Sequence, residues 1–113
     1  MAKKIPVYVS SGNVFVDIGF SPAEAEELIV KSELIANMLE TIRRRKLTQK
    51  EAAKLCGTDQ PTLSKVLRGR IESITIDRLA AWLTSLGRTV EIRVKPYNAK
   101  TRAGHLVTIG RAV

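Results

Sequence analysis

The chain has 113 residues and a formal net charge of +8, with 44% hydrophobic, 27% charged and 4% aromatic residues. This length predicts one compact domain without a deep cleft between two lobes, and the scarcity of aromatic residues disfavours a single-strand binder that stacks on bases. No apolar run approaches the ~20 residues of a membrane span, and no signal core follows the first residues, so the sequence predicts a cytoplasmic protein without a membrane partner.

The basic residues are concentrated in the second part of the chain. Residues 1–42 carry three lysines and six acidic residues, a net charge of −3, whereas residues 43–113 carry sixteen Lys and Arg and five acidic residues, a net charge of +11. A concentrated positive field favours encounter with a polyanion such as nucleic acid. A solvated basic surface has the same composition, so the charge alone leaves both interpretations open.

Residues for catalysis and metal binding are few. Cys56 is the sole cysteine and His105 the sole histidine, and the chain has no glycine-rich phosphate loop. These residues cannot form an internal disulfide, a Cys/His metal cluster or the usual acid-base constellations. We therefore predict that the protein is not an enzyme and has no cofactor or metal site. Cys56 is predicted to be a buried spacer beneath a turn.

The N-terminal arm, residues 1–20, has a period of two. Apolar residues recur at Ile5, Val7 and Val9 and, after a Ser-Ser-Gly-Asn turn, at Val14, Val16 and Ile18. This alternation predicts short β segments or a loose hairpin. Because an isolated hairpin is marginally stable, either the rest of the domain or a partner protein must supply its pairing surface.

A helix is predicted over residues 22–45, with Ser21 as its cap. Ser21, Pro22 and Glu24 form a capping box with proline at the first helical position. The predicted core stripe of this helix consists of Leu28, Ile35, Leu39 and Ile42, widened by Ile29, Ala36 and Met38. Its length leaves open a break near residues 30–32. The arginines at positions 43–45 either complement the helix dipole or contact phosphates.

The stretch from Leu47 to Gly69 reads as two short helices around a glycine turn. Thr48 and Glu51 form a second capping box, Gly57 suits the positive φ of a tight turn, and Asp59 caps the second helix, which has Pro61 in its first turn. The residues predicted to face inward are Ala52, Ala53, Leu55, Leu63, Val66 and Leu67. The residues predicted to face outward are Gln60, Thr62, Ser64, Lys65 and Arg68.

A last helix and a β-patterned tail follow. Thr75 or Ser73 caps the helix, and Gly87 ends it. The apolar seam of this helix is Ile76, Leu79, Leu83 and Leu86, with Ala80 and Trp82 beside it. Val90, Ile92 and Val94 then alternate as in a strand, and residues 106–109 are a candidate second strand of a hairpin. The predicted divisions are an extended arm at 1–20, a helix-turn-helix domain at 21–87, and a C-terminal β segment and tail at 88–113, a candidate dimerisation segment.

These residues carry a family resemblance. The segment T-Q-K-E-A-A-K-L-C-G-T-D-Q-P-T-L-S-K-V-L-R-G, residues 48–69, resembles the helix-turn-helix of the lambda-repressor-like, or XRE, family. More narrowly, S-S-G-N-V-F-V-D-I-G-F (10–20), K-S-E-L (31–34), S-I-T-I-D-R-L (73–79) and L-G-R-T-V-E-I-R-V (86–94) are similar to HigA-type antitoxins. Such antitoxins are short repressors encoded beside a RelE-like toxin that cleaves mRNA.

The resemblance implies both a fold and a function. The expected fold is mainly α, a lambda-repressor-like helix-turn-helix bundle with short β segments at the N- and C-terminal ends. The expected protein is a homodimer on a palindromic operator of double-stranded DNA in its own promoter, associated with the nucleoid when bound. It would also neutralise a small basic RelE/HigB-like toxin by direct binding. The alternatives are a phage-like or restriction-control repressor without a toxin, and a protein-interaction adaptor with weak DNA binding.

The resemblance also assigns site residues. The residues assigned to base reading are Gln60, Thr62, Ser64 and Lys65, and those assigned to phosphate contact or to buttressing the reading helix are Gln49, Thr48, Lys50, Arg43, Arg68 and Arg70. Glutamine suits base reading because its planar amide matches N6 and N7 of adenine in the major groove. The chain departs from the family at Cys56, where an aliphatic residue is usual, and at Pro61, which removes a backbone amide from the reading helix.

Overall fold

The computed structural model describes residues 14–109 and contains five α-helices in this part of the chain. The helices are α1 (Val14–Asp17), α2 (Pro22–Arg44), α3 (Gln49–Cys56), α4 (Gln60–Leu67) and α5 (Ile76–Ser85). Helix α2 packs against α5, and α3 lies against both α4 and α5. The predicted helical bundle is therefore confirmed. Its division into arm, domain and tail stays a prediction. No helix among residues 14–109 is long and apolar enough to cross a membrane.

Helix α2 is the longest element, about 34 Å at 1.5 Å per residue. It begins with the predicted capping box: Glu24 N–H donates to Ser21 Oγ at 3.2 Å, and Ser21 N–H donates to Glu24 Oε1 at 3.0 Å. The helix continues without interruption through residues 30–32 to Arg44. It ends where Lys46 takes a φ of +56°, in the left-handed region.

One hydrophobic core joins α2 to the other helices. It includes Leu28, Ile35, Met38 and Ile42 of α2, Ala52 and Ala53 of α3, Leu63 and Val66 of α4, and Leu79, Trp82 and Leu83 of α5. The two alanines are almost completely buried, and their small side chains allow α3 to approach its neighbours closely.

Two residues predicted to be buried lie at the surface. Leu39 is 45% exposed and Leu55 is 42% exposed, whereas Met38 is completely buried. At about 100° per residue, the buried line of α2 runs through Leu28, Ile35, Met38 and Ile42, so that Leu39 falls on its outer edge. In α3 the adjacent pair Ala52 and Ala53 defines the inner face, and Leu55 lies to one side of it.

The predicted β segments are wrong wherever the structure describes them, since residues 14–109 contain no strand. Residues 5–9 lie outside the described range, but Val14–Asp17 forms the single-turn helix α1. The turn is stabilised by tertiary contacts: Phe20 N–H donates to Phe15 O at 3.0 Å, and the two rings pack edge to face with centroids 6.2 Å apart. Both rings also lie against the core. One turn is too short for the sequence to distinguish a helical period from a period of two.

The C-terminal β prediction fails for a different reason. Val90, Ile92 and Val94 do alternate with charged residues, but residues 88–109 contain no β ladder. A strand requires a hydrogen-bonded neighbour, and the predicted neighbour at residues 106–109 does not pair with them. The side chains of Ile92 and Val94 are each 88% exposed.

Candidate nucleic-acid interface

The turn between α3 and α4 sets the angle of the second helix. Gly57 has φ +72° and ψ +29°, in the left-handed region that favours glycine. Thr58 N–H donates to Ala53 O at 3.0 Å, the six-to-one bond that ends a helix in a Schellman motif. Only three residues, 57–59, therefore separate α3 from α4. The turn places α4 across α3 with Leu63 completely buried between them and the core.

Both helices of this pair begin with a side-chain cap. Thr48 Oγ1 accepts from Glu51 N–H at 3.0 Å, and Asp59 Oδ1 accepts from Thr62 N–H at 2.7 Å. The backbone hydrogen bond from Thr62 lowers the pKa of Asp59, and that from Thr48 lowers the pKa of Glu51. Both carboxyl groups therefore stay ionised near neutral pH, where they stabilise the helix N-termini.

The start of α4 offers little backbone for binding an anion. The Asp59 side chain already accepts from the Thr62 amide, and Pro61 has no amide hydrogen. Of the first three residues of α4, only Gln60 has a backbone N–H that makes no hydrogen bond within residues 14–109. Phosphate contacts at this point would therefore depend on side chains.

Most of the outward face of α4 is not used by the fold. Gln60, Thr62, Lys65 and Arg68 are exposed and Ser64 is half-buried. Among the described residues, the side chains of Gln60, Ser64, Lys65 and Arg68 make no hydrogen bond or ion pair, whereas that of Thr62 contacts the capping carboxylate of Asp59. Leu63 and Val66 on the opposite face are buried. At about 100° per residue, Gln60, Ser64 and Arg68 lie along one line, with Lys65 beside it and Thr62 at the edge. The structure thus brings the predicted base-reading residues together on one helix surface.

The residues predicted for phosphate contact fall into two groups. The side chains of Gln49, Lys50, Arg68 and Arg70 are exposed and have no hydrogen-bond partner within residues 14–109. Thr48 is engaged as the cap of α3, and Arg43 is paired with Glu40. The roles themselves, including that of Gln49 as a buttress, stay predictions.

Two of the three arginines at the end of α2 pair with one glutamate. Glu40 accepts from Arg43 and also from Arg44, the latter at 2.8 Å, and the Arg44 bond lowers the pKa of Glu40. Both guanidinium groups nevertheless remain mostly exposed to solvent. Arg45 differs, because its Nη1 donates to Leu86 O at 2.8 Å and so caps the C-terminal end of α5.

Two side chains, Lys31 and Arg88, make long-range contacts that shape the site and have no signal in the sequence. Lys31 is 5% exposed, and its Nζ donates to Ile71 O at 3.1 Å and to Glu72 O at 3.5 Å, which fixes the loop that follows α4. Arg88 donates to Thr41 Oγ1 at 2.9 Å and to Asn37 Oδ1 at 3.1 Å. These contacts hold α4 and the root of the C-terminal segment on α2.

Cys56 and His105 have structural partners. Cys56 is half-buried against the core with its Sγ 3.8 Å from Trp82 O, and burial raises the pKa of the thiol. This placement agrees with the predicted spacer role, although the side chain is not fully enclosed. His105 Nδ1 contacts Glu26 Oε2 on α2. Residues 14–109 contain no group of His, Cys, Asp and Glu arranged to hold a metal ion.

A capped helix, a glycine turn and a second helix with an unoccupied polar face together define a helix-turn-helix module. The chain belongs to the helix-turn-helix domain family, whose family model matches residues 14–95. A solved structure provisionally named an XRE family transcriptional regulator is 28% identical in sequence and superimposes with a TM-score of 0.65, over 77% of this chain and 98% of that one. The comparison with curated proteins found no match. The predicted lambda-repressor-like helix-turn-helix fold is thereby confirmed.

Proposed function

We propose that the protein is a DNA-binding transcriptional regulator of the XRE type that binds a palindromic operator as a homodimer. The observation that carries this proposal is the outward face of α4, where Gln60, Lys65 and Arg68 are exposed and unengaged at the second helix of a helix-turn-helix. In such modules the second helix enters the major groove and its early residues meet base edges. The regulator to which the chain is structurally similar supports the same role.

The charge distribution supports binding to DNA. Residues 43–113, which contain the whole helix-turn-helix, have a net charge of +11. Lys50, Arg68 and Arg70 are exposed and can neutralise phosphates, which releases condensed counterions. Gln60 then reads a base through its amide, with Thr62, Ser64 and Lys65 as further base contacts. A DNA-bound role places the protein at the nucleoid, and we propose no catalytic activity.

More specifically, we propose that the regulator is a HigA-type antitoxin that represses its own toxin-antitoxin operon and neutralises a RelE/HigB-like mRNA-cleaving toxin. The support is the similarity of four separate segments between residues 10 and 94 to such antitoxins. A repressor without a toxin partner is the second candidate, because the outward face of α4 supports DNA reading with or without a toxin.

DNA reading is tested by selecting preferred sequences from a random duplex library and footprinting the upstream region of the protein's own gene. We expect two protected half-sites about one helical turn, ~34 Å, apart. Equal affinity for the selected site and for scrambled duplexes of the same length would refute a sequence-specific regulator. It would favour the adaptor alternative.

The antitoxin role is tested by co-expressing the protein with the product of the adjacent gene. We expect the adjacent protein alone to arrest growth, and co-expression to restore growth and give a complex that co-purifies. As a matched control, Gln60→Ala should lose operator discrimination yet still restore growth. An adjacent gene whose product is harmless would favour the repressor without a toxin.

A further inference from the structure

The segment from Thr89 to Tyr97 leaves the helical bundle without forming hydrogen bonds. Its root is fixed by Arg88, whose backbone N–H donates to Leu83 O at 2.9 Å and whose guanidinium binds Thr41 and Asn37. Within residues 14–109, no backbone N–H or C=O of residues 89–97 has a hydrogen-bond partner. Both edges of the segment are therefore free to accept another strand.

The side chains of this segment have the pattern of a half-buried strand but not its burial. Val90 packs partly against the core, whereas Ile92 and Val94 on the same alternating face are each 88% exposed. Charged residues Glu91, Arg93 and Lys95 occupy the other face. Such a strand normally pairs with a neighbour that shelters its apolar face.

Residues 106–109 do not serve as that neighbour. Leu106 N–H donates to Glu26 Oε1 at 3.0 Å, and the adjacent His105 ring contacts the same carboxylate. Glu26 therefore holds this part of the tail at the start of α2, and the Leu106 hydrogen bond lowers the pKa of the Glu26 carboxyl. The predicted hairpin is thus replaced by a contact with the helical bundle.

We infer that residues 89–95 pair with the same residues of a second copy, antiparallel, about a twofold axis at Ile92. In this register Ile92 lies opposite Ile92 of the second copy, Val90 opposite Val94, and Glu91 opposite Arg93. Each of the last two pairs occurs twice by symmetry. Opposite charges face each other across the strands on one face, and β-branched residues face each other on the other face.

The alternative self-pairing registers are disfavoured. An axis at residue 91 would place Glu91 opposite Glu91, and an axis at residue 93 would place Arg93 opposite Arg93, and like charges directly opposite are destabilising. An axis between two residues would place apolar side chains opposite charged ones. An axis at residue 94 would place Arg93 opposite Lys95, and an axis at residue 90 would place Ile92 opposite Arg88. Only the axis at Ile92 therefore satisfies both faces.

A second copy fits this segment better than an unrelated protein does. Glu91 is the sole acidic residue between positions 88 and 109, and it lies two residues from Arg93, the position that the symmetric register requires. The family match also runs through residue 95, so the pairing segment lies within the helix-turn-helix family domain. The inference specifies the homodimer contact on which the proposed function rests.

A charge exchange tests the register. Glu91→Arg and Arg93→Glu alone would each create two like-charge pairs, and we expect each to weaken the dimer about tenfold in Kd, measured by sedimentation over a concentration series without DNA. The double variant Glu91→Arg/Arg93→Glu should restore the wild-type Kd, because the exchanged charges again lie opposite each other. The substituted side chains are exposed, so circular dichroism should show unchanged helix content.

Cross-linking tests the axis directly. In a Cys56→Ala background, Ile92→Cys should be joined to itself by a short bismaleimide. Val94→Cys should not, because its two copies would lie about 14 Å apart along antiparallel strands. Val94→Cys mixed with Val90→Cys should cross-link. Efficient self-cross-linking of Val94→Cys would overturn the register.

The outcomes separate this inference from the proposed function. A chain that is monomeric at all concentrations, or a dimer that neither single charge variant weakens, would refute strand pairing while leaving operator binding to be measured independently. A dimer that obeys the charge exchange but binds all DNA sequences equally would confirm strand pairing and refute the sequence-specific regulator.

Discussion

Two polar residues show how differently side chains of one small domain are used. Gln60 is exposed at the start of α4 and has no side-chain partner within residues 14–109, whereas Lys31 is 5% exposed and binds two backbone carbonyls. The first is available for recognition, and the second maintains the loop behind the recognition helix. Substitution of Gln60 should therefore affect DNA binding, and substitution of Lys31 should affect the free energy of unfolding.

Replacing Gln60 with alanine should weaken binding to the preferred operator by about 1 to 3 kcal/mol and relax discrimination at one base pair, because one bidentate contact is lost. Fluorescence anisotropy with the operator and its single-base variants measures both effects. Gln49→Ala is the matched control, since loss of a phosphate contact should weaken binding equally on all sequences. A uniform loss for Gln60→Ala would contradict a base-reading role.

Replacing Lys31 with methionine should lower the free energy of unfolding by about 1 to 3 kcal/mol, because the carbonyls of Ile71 and Glu72 lose a buried donor. Urea denaturation followed by circular dichroism measures this change. The exposed Lys54→Met on α3 should change stability by no more than about 0.5 kcal/mol. Equal stabilities for the two variants would show that water replaces the Lys31 ammonium group.

At the scale of the element, the sequence predicts those features that depend on interactions between residues a few positions apart. The capping residues Ser21, Thr48, Asp59 and Thr75 all act on an amide three positions later, and the structure confirms each of them. The glycine turn at Gly57 is local in the same sense. The bounds of α2 to α5 follow from these signals together with the apolar period.

Features that depend on distant contacts could not be predicted. The bonds from Lys31, Arg45 and Arg88 join residues about forty positions or more apart, and the bond between Leu106 and Glu26 spans 80. Residues 90–94 do have a period of two, but they form no strand. A strand also needs a neighbour, however, and none lies among residues 14–109. The candidate site was predictable as a helix face, but its free and engaged members were not.

Replacing Gly57 with alanine should destabilise the domain by about 1 kcal/mol, because φ of +72° is unfavourable for a residue with a Cβ atom. The added methyl group meets no other atom within 4 Å, so the cost is conformational and not steric. Thermal unfolding measures the loss. Gly57→Asn should be milder, since asparagine tolerates the left-handed region better. A neutral Gly57→Ala would contradict the left-handed turn.

At the scale of the whole molecule, α2 connects the remaining elements. Lys31 holds the loop after α4, Arg45 caps α5, and Glu26 holds the tail at Leu106. In addition, Asn37 and Thr41 accept from Arg88 at the root of the C-terminal segment. The loop behind α4 and the root of the segment proposed to pair are therefore both fixed to the same helix.

Acid should destabilise the fold below the ordinary carboxyl pKa values of 4.5 for glutamate and 3.8 for aspartate. Backbone hydrogen bonds lower the pKa of the capping carboxyls Glu24, Glu51 and Asp59 in the folded state. The contribution of these carboxylates to the free energy of unfolding is therefore complete above the ordinary pKa values. It is lost as the pH falls through the lowered pKa values of the folded state. Thermal midpoints between pH 7 and pH 3 measure the decline.

The variant Glu24→Gln/Glu51→Gln isolates this effect from the general rise in positive charge at low pH. We expect it to have a lower midpoint than the wild type at pH 7 and a smaller decline between pH 5 and pH 3. A decline identical to that of the wild type would assign the acid sensitivity to other groups.

The unoccupied outer face of α4 has a consequence for how this protein can diversify. Because Gln60, Lys65 and Arg68 make no side-chain hydrogen bond within residues 14–109, their identities are decoupled from folding, which depends on Leu63 and Val66 on the other side of the helix. Operator preference can therefore drift by single substitutions through intermediates that all remain folded. A duplicated copy of the gene could acquire a new regulatory target without first acquiring a more stable scaffold.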